Sequence, residues 1–131
     1  MQICDKKGYL KIMPNKNKIL IIEDDGALLD IYSHLLTKTG YDVSTAKNGE
    51  DGLKTYRSNP DFSIIVLDMV LPGMQGDEVL SAIQKIKPDQ QVIICTGDIK
   101  TKTFTGNVKL LQKPFLATIF LEMVKDGIAM I

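Results

Sequence analysis

Four short apolar runs recur along the chain, and their spacing constrains the fold more than any other feature. They cover Ile19–Ile22, Ile64–Leu67, Val92–Cys95 and Val108–Leu111. The runs are rich in β-branched residues and too short for helices, and three of them lack alternation of polar and apolar residues, as expected for strands of a parallel sheet that is covered on both faces. A weaker run, Tyr41–Ala46, does alternate and is typical of an edge strand.

Segments with the apolar spacing of amphipathic helices separate these runs. Leu28, Ile31 and Leu35 form one apolar stripe, which Gly40 ends. A second helix is predicted over about 49–57, with Leu53 and Tyr56 inward. A third is predicted before Pro88, with an apolar face of Val79, Leu80, Ile83 and Ile86. A last one is predicted to start near Leu116, with Ile119, Phe120, Met123 and Val124 on one face. The regular alternation of strand and helix predicts a doubly wound α/β domain with right-handed crossovers.

The fourth crossover departs from this pattern. Residues 97–107, GDIKTKTFTGN, carry three threonines and only Ile99 and Phe104 as apolar anchors. Because threonine is a poor helix former, we expect the fourth helix to be short, distorted or absent. The 131 residues suit one domain, so we predict a folded domain over residues 18–131 and a flexible N-terminal extension over residues 1–17.

Composition narrows the classes of function. Sixteen basic and sixteen acidic residues cancel, so nothing indicates binding of nucleic acid or of a membrane through bulk charge. Cys4 and Cys95 are too isolated for a disulfide or a CxxC site, which favours a reduced, cytoplasmic setting. With His34 as the single histidine, any metal must be hard and bound by oxygen, such as Mg²⁺, Mn²⁺ or Ca²⁺.

The functional residues are predicted where the strands end, because ligands of open α/β sheets bind beyond the carboxyl ends of the strands. There the chain places Glu23–Asp25, Asp68, Thr96 and Lys113. Carboxylates about 4 Å apart repel by roughly 4 kcal/mol per pair, so either a proton or a hard cation must offset the repulsion. Oxygen ligands that leave room for water and phosphate favour Mg²⁺.

These residue types together suit phosphoryl transfer. Lys113 can supply a positive charge and Thr96 a hydroxyl donor to phosphoryl oxygens, which leaves Asp68 as the nucleophile. Asp25 has two interpretations, a metal ligand or the N-cap of the following helix, and the cap is favoured.

Four segments carry a resemblance to the response regulator receiver family, which is CheY-like. They are KILIIEDD, IIVLDMVLPGMQG, VIICTG and LLQKPF, within a stretch from about Lys18 to Lys125. The resemblance implies a five-stranded parallel sheet of flavodoxin-like order 2-1-3-4-5.

The resemblance also implies the metal ligands. Asp68 would be the phosphoacceptor, Asp24 would ligate Mg²⁺ directly, and Glu23 would act mainly through a metal-bound water. A third protein ligand would be the backbone carbonyl of Val70, two residues beyond Asp68.

Thr96 would move toward the phosphoryl group and Lys113 would pair with it, shifting the protein between two conformations. The family often carries a switch aromatic three residues before the lysine, where this chain has Leu110. We therefore expect the chemistry to follow the family and the readout to differ.

As a member of this family, the chain would take its phosphoryl group from a sensor histidine kinase or a histidine phosphotransfer protein. It would regulate a downstream protein or an output domain, and it could form a homodimer. It would be a signalling domain with self-catalysed transfer and autodephosphorylation rather than an enzyme, with no membrane and no nucleic acid bound directly. Whether it stands alone or is a piece of a hybrid kinase or larger regulator stays open.

Two other classes of protein share part of this pattern. An unphosphorylated pseudo-receiver used for docking or dimerisation has no physical reason to retain a repulsive acidic cluster. A haloacid-dehalogenase-like phosphatase needs its nucleophile on the first strand with a second Asp two residues on, where this chain has Val70. No P-loop or dinucleotide-binding glycine motif occurs.

Overall fold

A five-stranded parallel sheet forms the centre of the molecule. The computed structural model describes residues 2–4, 10–12, 17–97 and 104–130. Two short strands come first in the chain, β1 (Gln2–Cys4) and β2 (Leu10–Ile12), and pair antiparallel in a sheet of their own. The central sheet contains β3 (Lys18–Ile22), β4 (Asp42–Ala46), β5 (Ile64–Asp68), β6 (Val92–Thr96) and β7 (Val108–Gln112).

The strand order of the central sheet is β4-β3-β5-β6-β7. Counted within this sheet alone, it is the predicted order 2-1-3-4-5, with the alternating run as one edge strand. The predicted fold class is therefore confirmed. Most of the predicted flexible extension, residues 1–17, lies outside the described residues, so its flexibility and the domain boundary at residue 18 stay predictions.

Helices cover both faces of the sheet. They are α1 (Gly26–Thr39), α2 (Gly49–Ser58), α3 (Gly76–Ile86) and α4 (Ala117–Ala129). Apolar residues of α2 and α3 pack with one face of the central strands, and those of α1 and α4 pack with the other. Because both faces are covered, β5 and β6 are buried along their whole length, as their continuous apolar runs predict.

Helix α1 buries a different face from the predicted one. Ile31 is 53% exposed, and Leu28 and Leu35 are only half-buried. The face toward the sheet instead carries Leu29, Tyr32 and Leu36. The helix has two apolar stripes one residue apart, and helical spacing alone does not say which one the sheet covers. The outer stripe lines a surface groove of about 480 Å³, together with residues that follow β7.

The fourth crossover connects β6 to β7. Gly97 and residues 104–107 are not helical, while residues 98–103, including Ile99, lie outside the described residues. Phe104 packs against the core on the α2–α3 face, as predicted for an apolar anchor. Among the described helices, none is long and apolar enough to span a membrane.

Candidate functional site

The carboxyl ends of two neighbouring central strands bring the acidic candidates together, and a third strand places Thr96 beside them. Glu23 and Asp24 directly follow β3, and Asp68 is the last residue of β5. The two strands are paired in parallel with Ile22 opposite Leu67, so the residues that follow point to the same edge of the sheet. Thr96 ends β6, the neighbour of β5 on the other side.

Glu23, Asp24 and Asp68 form a compact carboxylate cluster. One oxygen from each lies within 4.8 Å of the others, so the three could hold a metal ion. Glu23 and Asp68 are buried, whereas Asp24 is exposed. Among the described residues, Glu23 Oε2 has no hydrogen-bond partner although it is buried. A buried carboxylate oxygen without a hydrogen-bond partner is energetically unfavourable, and coordination to a hard cation would compensate for this.

Lys113 lies against this cluster. Its Nζ donates a 2.8 Å hydrogen bond to Glu23 Oε1 and lies 3.6 Å from Asp68 Oδ2. The backbone N–H of Lys113 donates to the carbonyl of Thr96, which fixes the residue beside the end of β6. The peptide bond between Lys113 and Pro114 is cis. The lysine is therefore placed to neutralise negative charge at the phosphoacceptor candidate.

Burial and the neighbouring charges shift the pKa values of Glu23 and Lys113. Burial, followed by the neighbouring Asp68, raises the pKa of Glu23 to about 8, and the opposing effect of Lys113 is smaller. Burial lowers the pKa of Lys113, but its hydrogen bond to Glu23 and the charges of Asp68 and Glu23 outweigh this and raise that pKa overall. In the absence of a cation, Glu23 therefore holds a proton more readily than an exposed carboxyl does, while Lys113 stays charged.

A tight loop, residues 69–75, follows Asp68 and connects β5 to α3; we call it the β5–α3 loop. The N–H of Val70 donates to Asp68 Oδ1 at 3.2 Å, and the Val70 side chain is 69% exposed. Gly76 closes the loop by donating to the carbonyl of Met69 at 3.0 Å. A Cβ at Gly76 would lie 2.6 Å from the Asp68 carbonyl oxygen, so only glycine allows this approach.

The predicted switch residues lie at the same edge or next to it. Thr96 is buried at the end of β6. Leu110 lies in β7 opposite Ile94 and packs, half-buried, against the core on the α2–α3 face, as does Phe104. The position of the family's switch aromatic is thus occupied by a half-buried aliphatic side chain that packs against the core.

Asp25 caps α1 and is not part of the carboxylate cluster. Its Oδ1 accepts hydrogen bonds from the N–H groups of Ala27 and Leu28, at 3.0 and 3.2 Å. The favoured interpretation of Asp25 as an N-cap is therefore confirmed.

Two residues beside the site were not predicted from the sequence. Tyr32 is buried in α1, stacks on Phe115 and Phe120, and lines the surface groove together with Lys113. Burial raises the pKa of Tyr32 to about 12, despite the opposing charge of Lys113. Glu50, in the first turn of α2, accepts a hydrogen bond from the N–H of Met74 in the β5–α3 loop. No local pattern identifies either contact, because both join distant parts of the chain.

Known proteins resemble the chain in sequence and in fold. The family model of the response regulator receiver domain matches residues 19–125. Over 106 residues the chain is 35% identical to the cell cycle transcriptional regulator CtrA of Caulobacter vibrioides, which covers 75% of this chain and 44% of CtrA. The chain therefore spans less than half the length of that relative.

Two further matches cover most of this chain and most of the matched protein. The chemotaxis protein CheY of Thermotoga maritima is 28% identical over 105 residues, which cover 79% of this chain and 86% of CheY. The crystal structure of a response regulator receiver domain protein from Clostridium thermocellum superposes with a TM-score of 0.76 at 30% identity, covering 87% of this chain and 95% of that chain. The resemblance found in the four sequence segments is confirmed, and the chain belongs to the response regulator receiver domain family.

Proposed function

We propose that this receiver domain accepts a phosphoryl group on Asp68 in a Mg²⁺-dependent transfer from a histidine kinase or a histidine phosphotransfer protein. The observation that carries the proposal is the cluster of Glu23, Asp24 and Asp68 facing Lys113, with one oxygen of Glu23 buried and without a hydrogen-bond partner among the described residues. Repulsion between the carboxylates and their burial destabilise the folded state, and a pseudo-receiver that serves only for docking has no use for such a cluster. The cluster therefore disfavours that alternative.

Asp68 acts as the nucleophile in this proposal. A carboxylate oxygen attacks the phosphorus in line, the P–N bond of the donor phosphohistidine breaks, and the bonding electron pair leaves with the imidazole nitrogen. The N–H of Val70 holds Asp68 Oδ1 at 3.2 Å, which orients the carboxylate. Lys113 Nζ, 3.6 Å from Asp68 Oδ2, is close enough to pair with an incoming phosphoryl oxygen.

Mg²⁺ would be held by Asp24, Asp68 and the backbone carbonyl of Val70, with Glu23 acting mainly through a metal-bound water. When bound, it supplies positive charge that offsets the carboxylates and the phosphoryl oxygens. The buried Glu23 Oε2 and the oxygen-only donor set support this choice of metal.

Phosphorylation would then shift the domain between two conformations through Thr96 and Lys113. Lys113 would exchange its hydrogen bond with Glu23 for one with the phosphoryl group, and Thr96 would move toward the same group. Because Leu110 replaces the usual aromatic, the change would reach a downstream protein or output domain by another packing route. The same proposal places the protein in the cytoplasm as a self-catalysing signalling domain.

Intact-mass measurement with a small acyl-phosphate donor and Mg²⁺ tests the proposal. The wild type should gain the mass of one phosphoryl group, and Asp68→Asn should gain none. Asp61→Asn, which changes an exposed aspartate before β5, is the matched control and should be modified like the wild type. An unmodified wild type would overturn the proposal, as would equal modification of Asp68→Asn.

A further inference from the structure

The β5–α3 loop carries the backbone carbonyl of Val70, a proposed ligand of Mg²⁺. A backbone ligand cannot be oriented by choosing a side-chain rotamer, so its position depends on what holds the loop. Leu71 is buried and anchors the loop in the core, and its carbonyl accepts from Gln75 Nε2 at 3.2 Å. This hydrogen bond, like the one between Met69 and Gly76, stays within the loop and the start of its own helix.

Glu50 contacts the loop from a different element. Its Oε1 accepts a 3.1 Å hydrogen bond from the N–H of Met74, across 24 positions of the sequence. A Cβ at Gly73, where φ is +69°, would also lie 3.1 Å from Oε1, so the carboxylate sits directly over the Gly73–Met74 peptide. Hydrogen bonds to an ionised carboxylate are stronger than those between neutral groups.

We propose that Glu50 is a positioning residue for the metal site: it fixes the β5–α3 loop and thereby holds the Val70 carbonyl toward the acidic cluster. This inference rests on the proposed function, since it concerns the same Mg²⁺. Glu50 does not itself belong to the cluster and acts through the loop. Its loss should weaken metal binding while leaving Glu23, Asp24 and Asp68 in place.

Asp51 provides a matched control. Glu50 and Asp51 are both exposed acidic residues in the first turn of α2, so removing either one deletes the same charge near the positive end of the helix. Asp51 accepts from Asn48 Nδ2 and its N–H donates to Asn48 Oδ1, contacts that remain within the start of α2. A difference between the two variants therefore reports the loop contact and not the helix charge.

The experiment is a Mg²⁺ titration of the thermal unfolding midpoint for the wild type, Glu50→Ala, Glu50→Gln and Asp51→Ala. The Mg²⁺ concentration that gives a chosen rise of the midpoint above its metal-free value should be about three- to tenfold higher for Glu50→Ala than for the wild type, since partners that orient metal ligands contribute at least this much to affinity. It should stay within about twofold of the wild type in Asp51→Ala. Glu50→Gln should stay close to the wild type, because the amide oxygen can still accept from Met74.

Hydrogen exchange of the metal-free protein supplies a second readout. The Met74 amide should exchange faster in Glu50→Ala than in Asp51→Ala, because its acceptor is gone. Equal Mg²⁺ affinities for the two alanine variants would overturn the inference, and so would a Glu50→Gln variant as weak as Glu50→Ala. A wild type that shows no response to Mg²⁺ would instead contradict the proposed metal dependence itself.

Discussion

Lys113 Nζ is hydrogen-bonded to only one oxygen of Glu23, at 2.8 Å from Oε1. In the described part of the molecule, the other oxygen, Oε2, is buried without a partner. The lysine therefore satisfies half of the buried carboxylate and leaves the other half to a proton or a cation. This division makes Glu23 sensitive both to pH and to Mg²⁺.

The raised pKa of Glu23 predicts a specific pH dependence of stability. Folding raises this pKa from 4.5 to about 8, so between these values the folded state binds more protons than the unfolded state. The contribution of Glu23 to the free energy of unfolding is thus fully present below about pH 4.5 and is lost as the pH rises through about 8. Glu23→Gln, which cannot ionise, should remove this decline.

Urea denaturation in EDTA at several pH values checks this prediction. The difference in unfolding free energy between the wild type and Glu23→Gln should change steadily across the window, with the wild type losing relative stability as the pH rises. Saturating Mg²⁺ should flatten the wild-type curve, since a cation favours the ionised carboxylate. Parallel curves for the two proteins in EDTA would contradict the prediction.

Mg²⁺ itself should stabilise the folded protein through Asp24. A ligand that binds only the folded state raises the free energy of unfolding by RT ln(1 + [L]/Kd). Asp24→Ala should lose most of the rise seen with millimolar Mg²⁺, because the proposed direct ligand is removed. Chemical denaturation with and without Mg²⁺ measures the rise for each variant.

Its neighbour Asp25 is the control for that experiment. Asp25→Ala removes the N-cap of α1 and should lower stability by about 0.5–2 kcal/mol in the absence of metal. It should nevertheless keep the full rise with Mg²⁺. If Asp24→Ala kept the rise and Asp25→Ala lost it, the assignment of the two adjacent aspartates would be wrong.

The arrangement of the strands and of the acidic cluster could be predicted because both depend on local sequence. An apolar run of β-branched residues predicts a buried strand, and in a parallel sheet the residues that end such runs meet at one edge. Glu23, Asp68 and Lys113 could therefore be associated before any distance was known.

Other features could not be predicted, for identifiable physical reasons. The hydrogen bond between Glu50 and Met74 joins the first turn of α2 to the loop before α3, and no periodic pattern in the sequence relates these two segments. An acidic residue in the first turn of a helix is common because it interacts favourably with the helix dipole, so its presence gives no reason to expect a second contact. The buried side of α1 depends on how the helix is rotated against the sheet, which the two overlapping stripes leave ambiguous.

The rotation of α1 against the sheet can be tested by replacing one apolar residue from each of its two stripes. Leu29 is 5% exposed in the core on the α1–α4 face, whereas Ile31 is 53% exposed. Leu29→Ala should cost about 2–5 kcal/mol of unfolding free energy, because it leaves a cavity in a packed core. Ile31→Ala should change it by no more than about 0.5 kcal/mol. Urea denaturation at one pH measures both, and a larger loss for Ile31→Ala would show that the originally predicted stripe is the buried one.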